Sequence, residues 1–243
     1  MKKIVYILIL FVNITFVKAQ NNSGHAIYNI QFNTDPNFYA NKQQGEKGLQ
    51  MFRMLSSITK NFEFDLYFNQ DVSLFKINDN LNTNEKLKNL ALVLSKGKGV
   101  FYRDKKTILR QVEAYGDLFL INETHLDQKK WKLLPDKKNI NGHTCFKATK
   151  YLPIDNKNQY KIEAWYTPDI PINHGPIGFG GLPGLIIKLK LSNVSEVSYI
   201  LKSIDFSDNK YLTKIKKPNK GKYVTQKEFN EIGKKMMLRA KGF

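Results

Sequence analysis

Histidine is the residue type in this chain best suited to acid–base or metal chemistry, and it occurs four times. The four are His25, His125, His143 and His174. No two of them stand four residues apart, and neither His-Glu-x-x-His nor Cys-x-x-Cys occurs, so the spacing predicts no zinc site. Gly-x-Ser-x-Gly, which is typical of serine hydrolases, is absent as well. The residues alone therefore assign no catalytic residue, no metal ligand and no cofactor.

Cys145 is the only cysteine, so no intramolecular disulfide can form. It lies in an alternating segment, residues 143–149, that predicts a strand, and free cysteine is among the most buried residue types. We expect a structural thiol. His143 stands two residues away on the same face of that strand, which keeps a nucleophilic thiol open as the alternative.

A segment rich in proline and glycine, residues 164–187, is the next candidate for function. It holds four of the eight prolines and five of the fifteen glycines, among aromatic and aliphatic residues. Loops on a rigid scaffold often carry binding residues. The candidate ligand contacts are therefore its aromatic and titratable side chains, namely Trp165, Asp169, His174 and Phe179. Residues 182–185 predict a type II turn, with proline second and glycine third.

The same segment carries a family resemblance. The hexapeptide Gly181, Leu182, Pro183, Gly184, Leu185, Ile186 resembles the signature of the GLPGLI family, exported proteins of Bacteroidetes-type bacteria. Residues 142–148 are similar to that family's Gly-x-x-Cys-x-Lys-Ala element, and the resemblance covers residues 131–190. It implies a structural motif and an exported protein, and no activity or cofactor comes with it.

The first nineteen residues predict a signal peptide. Lys2 and Lys3 precede an apolar run of about fourteen residues, and Ala19 precedes the expected cleavage site. That run is shorter than the ~20 residues a spanning helix needs, and no later run reaches that length. We expect residues 20–243 to form a single domain of the GLPGLI type, exported to the periplasm or secreted, with no transmembrane segment.

The chain is strongly basic, with a formal net charge of +18. Removing residues 1–19 deletes three lysines and no acid, which lowers the charge to +15. Most of the positive charge is lysine, whereas recognition of phosphates and bases favours arginine. We expect no specific nucleic-acid partner, and at most a general attraction to anionic surfaces.

Alternating apolar residues predict a chain made mainly of strands. The expected strands are 26–32, 62–68, 72–77, 99–102, 107–113, 118–122, 144–151, 159–166, 185–191 and 197–204. Helical spacing predicts a helix at 44–58, and residues 85–94 are expected to form either a short helix or a partly ordered insertion. A third helix follows the capping box of Thr225 and Glu228, with Phe229, Ile232, Met236 and Ala240 on one face.

These elements predict a mainly β (α+β) fold. We expect a large curved antiparallel sheet or open barrel, with one or two helices packed on it, including the C-terminal helix. The layout is similar to that of bacterial lipoprotein-sorting carriers, and such a sheet can enclose an apolar pocket.

Three functions from different classes remain open. The first is an exported, non-enzymatic binding or accessory protein of the cell envelope, whose partner is a hydrophobic small molecule or an outer-membrane protein. The alternative is an exported hydrolase or metal-dependent enzyme using His174, Asp169 or His143. The third is a surface protein that interacts through its lysines. A large apolar cavity beneath the C-terminal helix would support the first.

Overall fold

A computed structural model describes residues 23–40, 45–78, 84–128, 130–153, 159–192, 196–206 and 210–240. The signal peptide expected at residues 1–19 lies outside these ranges and stays a prediction. Ala240 lies in a described helix, but its side chain is outside the description.

Twelve strands make up one sheet in the described chain. They are β1 (Gly24–Phe32), β2 (Glu63–Phe68), β3 (Ser73–Ile77), β4 (Val100–Arg103), β5 (Ile108–Ala114), β6 (Asp117–Asn122), β7 (Lys132–Ile140), β8 (His143–Pro153), β9 (Gln159–Thr167), β10 (Leu185–Ser192), β11 (Val197–Asp205) and β12 (Lys222–Thr225). Their order across the sheet is β12-β6-β5-β4-β3-β2-β1-β11-β10-β9-β8-β7. All neighbours are antiparallel except β12 and β6, which are parallel.

The sheet is open, because β12 and β7 form its two ends and do not pair with each other. This confirms the predicted mainly β fold with a large antiparallel sheet and a C-terminal helix. β1 lies in the middle of the order, between β2 and β11. The sheet is therefore built from a meander on each side of its first strand.

Alternation along the strands explains which face of the sheet is buried. On β2, Phe64, Leu66 and Phe68 are fully buried, as the sequence predicts for one face of that strand. Tyr28 on β1 lies opposite Phe64 and donates a hydrogen bond from its hydroxyl to the Ile186 carbonyl at 2.7 Å. We call this apolar side the inner face of the sheet.

Four α-helices lie beside the sheet in the described chain: α1 (Pro36–Ala40), α2 (Gly45–Thr59), α3 (Glu85–Leu94) and α4 (Gln226–Ala240). α2 buries Leu49, Phe52 and Leu55 on the core, and the Phe52 ring lies 5.7 Å from that of Phe32. No described helix is both long and apolar enough to cross a bilayer.

α4 begins at the predicted capping box. The Thr225 backbone N–H donates to Glu228 Oε2 at 2.7 Å, and the Glu228 N–H donates to Thr225 Oγ1 at 3.2 Å. Phe229 and Ile232 then pack against Val112, Phe119 and Ile121 of β5 and β6. α4 is thereby held over one end of the inner face.

Two strands and one short helix were not predicted. β7 carries Pro135 and a register shift between Leu133 and Lys137, so its side chains do not alternate. β12 has four residues, and its strand form depends on pairing with β6. α1 spans five residues, too few to show a helical period.

Candidate functional site

A cavity of about 580 Å³ lies beneath α4, on the inner face of the sheet. We call it the α4 cavity. Its walls come from β4, β5 and the end of β6, from the C-terminal end of α3, and from the facing ends of β8 and β9. Strands far apart in the sheet order share this space, so the sheet is strongly curved. The volume is within the range of small-molecule sites.

Apolar side chains form most of the wall. The larger ones are Leu92, Phe101, Val112, Ile177, Phe179 and Phe229. Phe101 and Val112 point inward from neighbouring strands, and Phe229 faces them from α4. Ile177 and Phe179 belong to the proline- and glycine-rich loop, residues 168–184. That loop therefore contributes directly to the wall of the cavity.

An ion pair between Arg110 and Glu123 crosses the floor of the cavity. Arg110 Nε lies 2.7 Å from Glu123 Oε1, although its N–H is not directed at that oxygen. Arg110 Nη2 also donates to Gln226 Oε1 of α4 at 3.2 Å. The guanidinium carbon lies 5.8 Å from the ring centre of Phe101 and 5.5 Å from that of Phe229. This arginine thus ties α4 to the sheet.

Lys96 brings a second cation to the cavity, from the end of α3. Its Nζ lies 4.0 Å from the ring centre of Tyr160, which faces inward from β9. Although the residue keeps more than a third of its surface exposed, desolvation lowers the pKa of its ammonium to about 8. Glu123 opposes that shift and Arg110 adds to it. The charges of the ion pair therefore influence this ammonium.

Two further titratable groups share this environment. Burial raises the pKa of Tyr160 to about 12, and the charge of Glu123 adds to that rise. Burial lowers the pKa of His125 below its usual value, and the charges of Lys96 and Arg110 contribute. Several perturbed groups around one pocket are typical of functional sites.

Backbone strain is concentrated at the same cavity. Among the described residues, five that are not glycine have positive φ, and three of them line the α4 cavity: Lys96, Tyr115 and Ile177. Positive φ is uncommon for such residues, and for a β-branched residue like Ile177 it is an outlier. Strained residues persist where the surrounding structure holds them, and they cluster at binding and active sites.

The proline loop is held in place by an ion pair and hydrogen bonds on the side away from the α4 cavity. We call these contacts the arginine clamp. Arg103 Nη2 lies 2.7 Å from Asp127 Oδ2, and Nη1 donates to the Gly178 carbonyl at 3.1 Å. Trp131 Nε1 donates to the Gly180 carbonyl at 2.9 Å. The hexapeptide at residues 181–186 therefore belongs to a rigid connector that presents Ile177 and Phe179 to the cavity.

Lys150 supports the same clamp from the inner face of β8. Only 3 % of the residue is exposed, and its Nζ donates to the Leu126 carbonyl at 2.8 Å. The ammonium also lies 4.4 Å from the Trp131 ring centre. Burial lowers its pKa to about 8, which Asp127 partly offsets.

The four ligand contacts predicted from the sequence lie in different places. Phe179 lines the α4 cavity, whereas Trp165 points to the outer face, where Lys138 Nζ lies 3.9 Å from its ring. Asp169 is exposed in the turn after β9. His174 is buried with Nε2 3.2 Å from the Asn69 carbonyl. The cavity wall includes Phe179 and none of the other three.

The residues of the enzyme alternative are also separated. In the described part of the chain, no hydrogen bond or ion pair joins His174 to Asp169 or His143. Cys145 is fully buried, and burial raises the pKa of its thiol to about 11. A thiolate is therefore disfavoured at neutral pH. Among the described residues, no cluster of three or more histidine, cysteine or acidic side chains could hold a metal ion.

Lys96, Arg110, Glu123 and Tyr160 were missed from the sequence. One signal was present: Arg110 occupies the apolar face of β5, between Ile108 and Val112. A charged residue on an otherwise apolar face is buried only with a partner. Its partner, Glu123, directly follows the next strand, β6.

Comparison with known proteins places the chain only broadly. A family model described as "Protein of unknown function (Porph_ging)" matches residues 131–188, from before β7 into β10. The comparison with curated proteins yields no match.

Two solved structures are similar in fold. They are titled "Structure of PNGF-II in C2 space group" and "Structure of PNGF-II in P21 space group", with TM-scores of 0.51 and 0.50 and identities of 15% and 13%. Each match covers 86% of this chain and 32% of the other, so the chain spans about a third of that protein's length. At this identity the similarity concerns the fold alone.

Proposed function

We propose that this protein is an exported, non-enzymatic binding protein of the cell envelope that holds a hydrophobic small molecule in the α4 cavity. The observation that carries the proposal is the concentration of strained residues, Lys96, Tyr115 and Ile177, around one apolar cavity. Local structure requires positive φ at Lys96, where α3 ends, and at Tyr115, in the turn between β5 and β6, but glycine or asparagine is the usual residue at such positions. A ligand site on this wall accounts for the lysine, tyrosine and isoleucine that stand there instead.

The chemistry of the wall supports binding over catalysis. Glu123 is the one carboxylate among the described lining residues, and Arg110 holds it in an ion pair. Glycoside hydrolysis needs two carboxylates on either side of the scissile bond, and acyl transfer needs an activated nucleophile. The described wall offers neither arrangement.

We further propose that the chain belongs to the GLPGLI family and is exported through residues 1–19. The family match at residues 131–188 includes the hexapeptide, which supports this assignment. Mass spectrometry of the protein in the exported fraction should find Gln20 at the N-terminus. A mature chain that retains Met1 would overturn the export proposal.

Ligand binding is tested with protein purified from its own cell envelope. Native mass spectrometry should show an additional mass that denaturation releases, and the stripped protein should bind the neutral apolar dye Nile red. Absence of both would contradict the binding function.

A variant pair locates that binding. Val93 lines the cavity from α3 and is 56% exposed, so Val93→Trp should fill the entrance without disturbing the core. Leu90→Trp, on the same helix but outside the cavity wall, is the matched control. We expect Val93→Trp to reduce dye affinity about ten-fold, and Leu90→Trp to leave it unchanged. Equal effects of the two variants would place the dye elsewhere.

A further inference from the structure

We propose that the ligand of the α4 cavity is an amphiphile with an anionic head, a carboxylate or a phosphate, and that Lys96 binds that head. This inference rests on the proposed binding function and names the chemical class of its ligand.

The cavity wall carries more positive than negative charge. Its described residues include the cations Lys96, Lys98 and Arg110, and a single carboxylate, Glu123. Arg110 and Glu123 neutralise each other at 2.7 Å. The remaining charge is positive and lies beside apolar side chains, so an apolar molecule with one negative end is complementary to the wall.

Lys96 is the cation best placed to meet that negative end. In the described chain no carboxylate lies within 4 Å of its Nζ, and its ammonium rests instead on the face of Tyr160. The ring leaves hydrogen-bond donors of the ammonium free, because a cation–π contact uses its charge and not its N–H groups. An anionic head could accept those hydrogen bonds without displacing Arg110 from Glu123.

The backbone at Lys96 points to the same role. α3 ends in a Schellman motif, in which Gly97 N donates to the Leu92 carbonyl and Lys96 N to the Val93 carbonyl. Lys96 holds the left-handed position of this motif, with φ of 61°, where glycine is the usual residue. A lysine there is less stable than glycine, and a role of its side chain in ligand binding accounts for that choice.

The core fixes where that ammonium points. Tyr199 is fully buried and donates from its hydroxyl to the Ser95 carbonyl at 3.1 Å. A side chain at Gly97 would overlap the same hydroxyl, so the chain passes close against Tyr199. The end of α3 is therefore held against the sheet, and Lys96 is presented to the cavity from a rigid position.

Binding of an anion should also depend on pH. The charged and titratable groups around Lys96 are Lys98, Arg110, Glu123, His125 and Tyr160. Desolvation lowers the pKa of Lys96 to about 8, and a bound anion would raise it because it stabilises the ammonium. Above about pH 8, binding of an anion is therefore accompanied by uptake of a proton by Lys96. Affinity for an anion should therefore fall as pH rises from 7 to 9, and affinity for a neutral amphiphile should not.

The experiment compares three twelve-carbon probes, laurate, dodecyl phosphate and dodecanol, by displacement of Nile red below their micelle-forming concentrations. We expect wild-type protein to bind either anion at least ten-fold more tightly than dodecanol. A preference for laurate would indicate a fatty-acid head, and a preference for dodecyl phosphate a lipid phosphate. Both support the proposal.

Lys96→Gly separates binding from folding. It should weaken binding of the anions about ten-fold, leave dodecanol within two-fold, and raise the melting temperature by about 2–4 °C. Lys96→Gln, which keeps a long polar side chain, should show the same loss of anion binding. Lys86→Gln removes an exposed lysine of the same helix outside the cavity, and it should change nothing.

The outcomes separate this proposal from the one on which it rests. Equal affinity of wild-type protein for laurate and dodecanol would overturn the anionic head and leave the hydrophobic site in place. Unchanged anion preference in Lys96→Gly would remove Lys96 from the site. If none of the three probes binds, the binding function itself fails.

Discussion

Individual residues differ at two tight turns of the sheet that have similar backbone angles. One turn has the residue types that favour those angles, and the other does not. Asn141 and Gly142 connect β7 and β8 with φ of 51° and 84°, and Asn-Gly is the preferred pair for such a turn. Tyr115 and Gly116 connect β5 and β6 with φ of 55° and 83°, although tyrosine is disfavoured there. The unfavourable residue occurs at the turn beside the cavity, where the Tyr115 ring lies 5.8 Å from that of Phe229.

His174 is a second residue in an unfavourable environment. Its burial makes the free energy of unfolding depend on pH. The residue is 2 % exposed, and its Nδ1 has no hydrogen-bond partner among the described residues. Burial, with the nearby charge of Arg103, lowers its pKa to about 4, against 6.5 for an exposed histidine. Between these values the unfolded chain binds a proton that the folded chain does not. The stability from neutral His174 is therefore complete above pH 6.5 and is lost as pH falls toward 4.

We expect His174→Gln, which cannot titrate, to reduce this acid sensitivity. The urea midpoint should fall less between pH 7 and pH 4 in the variant than in wild-type protein. His143→Gln, at a half-buried position on β8, is the control and should follow wild type. A parallel fall of wild type and His174→Gln would show that carboxylates alone cause the acid sensitivity.

Among the elements of the fold, the proline loop forms a rigid connection between β9 and β10. Two of its glycines are required by contact, because a Cβ at Gly180 would overlap the Asn173 carbonyl and one at Gly184 would overlap that of Thr167. The Gly180 Cβ would also come within 2.9 Å of Arg103 Nε. The loop therefore has one arrangement in which both its glycines and its arginine clamp are accommodated.

Alanine substitutions compare a glycine of this loop with a glycine of the turn between β7 and β8, where there is space for a side chain. Gly184→Ala should destabilise the protein by about 2 kcal/mol more than Gly142→Ala does, because Gly142 has positive φ but nothing within 4 Å of its Cβ position. The measurement is the free energy of unfolding in urea. Similar losses in the two variants would mean that the contact with Thr167 relaxes easily.

The elements predicted from the sequence are those whose pattern is local. β2 alternates polar with apolar residues, and α4 starts at a capping box that four consecutive residues are enough to reveal. β7 and β12 lack such patterns and depend on their neighbours. The α4 cavity follows the same rule: Phe179 could be suggested from its loop, whereas Lys96 and Tyr160 meet only because the sheet curves, and no short stretch of sequence contains that curvature.

Across the whole molecule, the positive charge is spread over the outer face and is partly paired there. Lys147 lies 3.2 Å from Glu163, and Lys190 lies 2.8 Å from Glu196. Desolvation first, and then the charges of Lys138 and Lys190, lower the pKa of Lys188. Both pairs are half-buried, so salt screens them less than it screens the attraction of fully exposed lysines to anions.

The free end of the sheet at β7 has features that discourage pairing with another strand. Its edge carries an exposed proline, a register shift and several lysines, all of which discourage another strand from adding. We expect Pro135→Val to increase self-association, measured by light scattering across a concentration series. Pro168→Val, at an exposed turn away from the edge, is the control. Equal behaviour of the two variants would mean that the lysines alone protect the edge.

The central position of β1 sets the order in which this molecule can assemble. Tyr28 pairs with Phe64 on one side and with Leu201 on the other, so the middle of the sheet joins segments far apart along the chain. The meander from β2 to β6 can form early from local contacts, but β11 must close a very long loop before the two halves share one core. Folding should therefore be slow, with the apolar inner face exposed until its last strand arrives. During that interval we expect the chain to be prone to aggregation, because apolar surface is exposed.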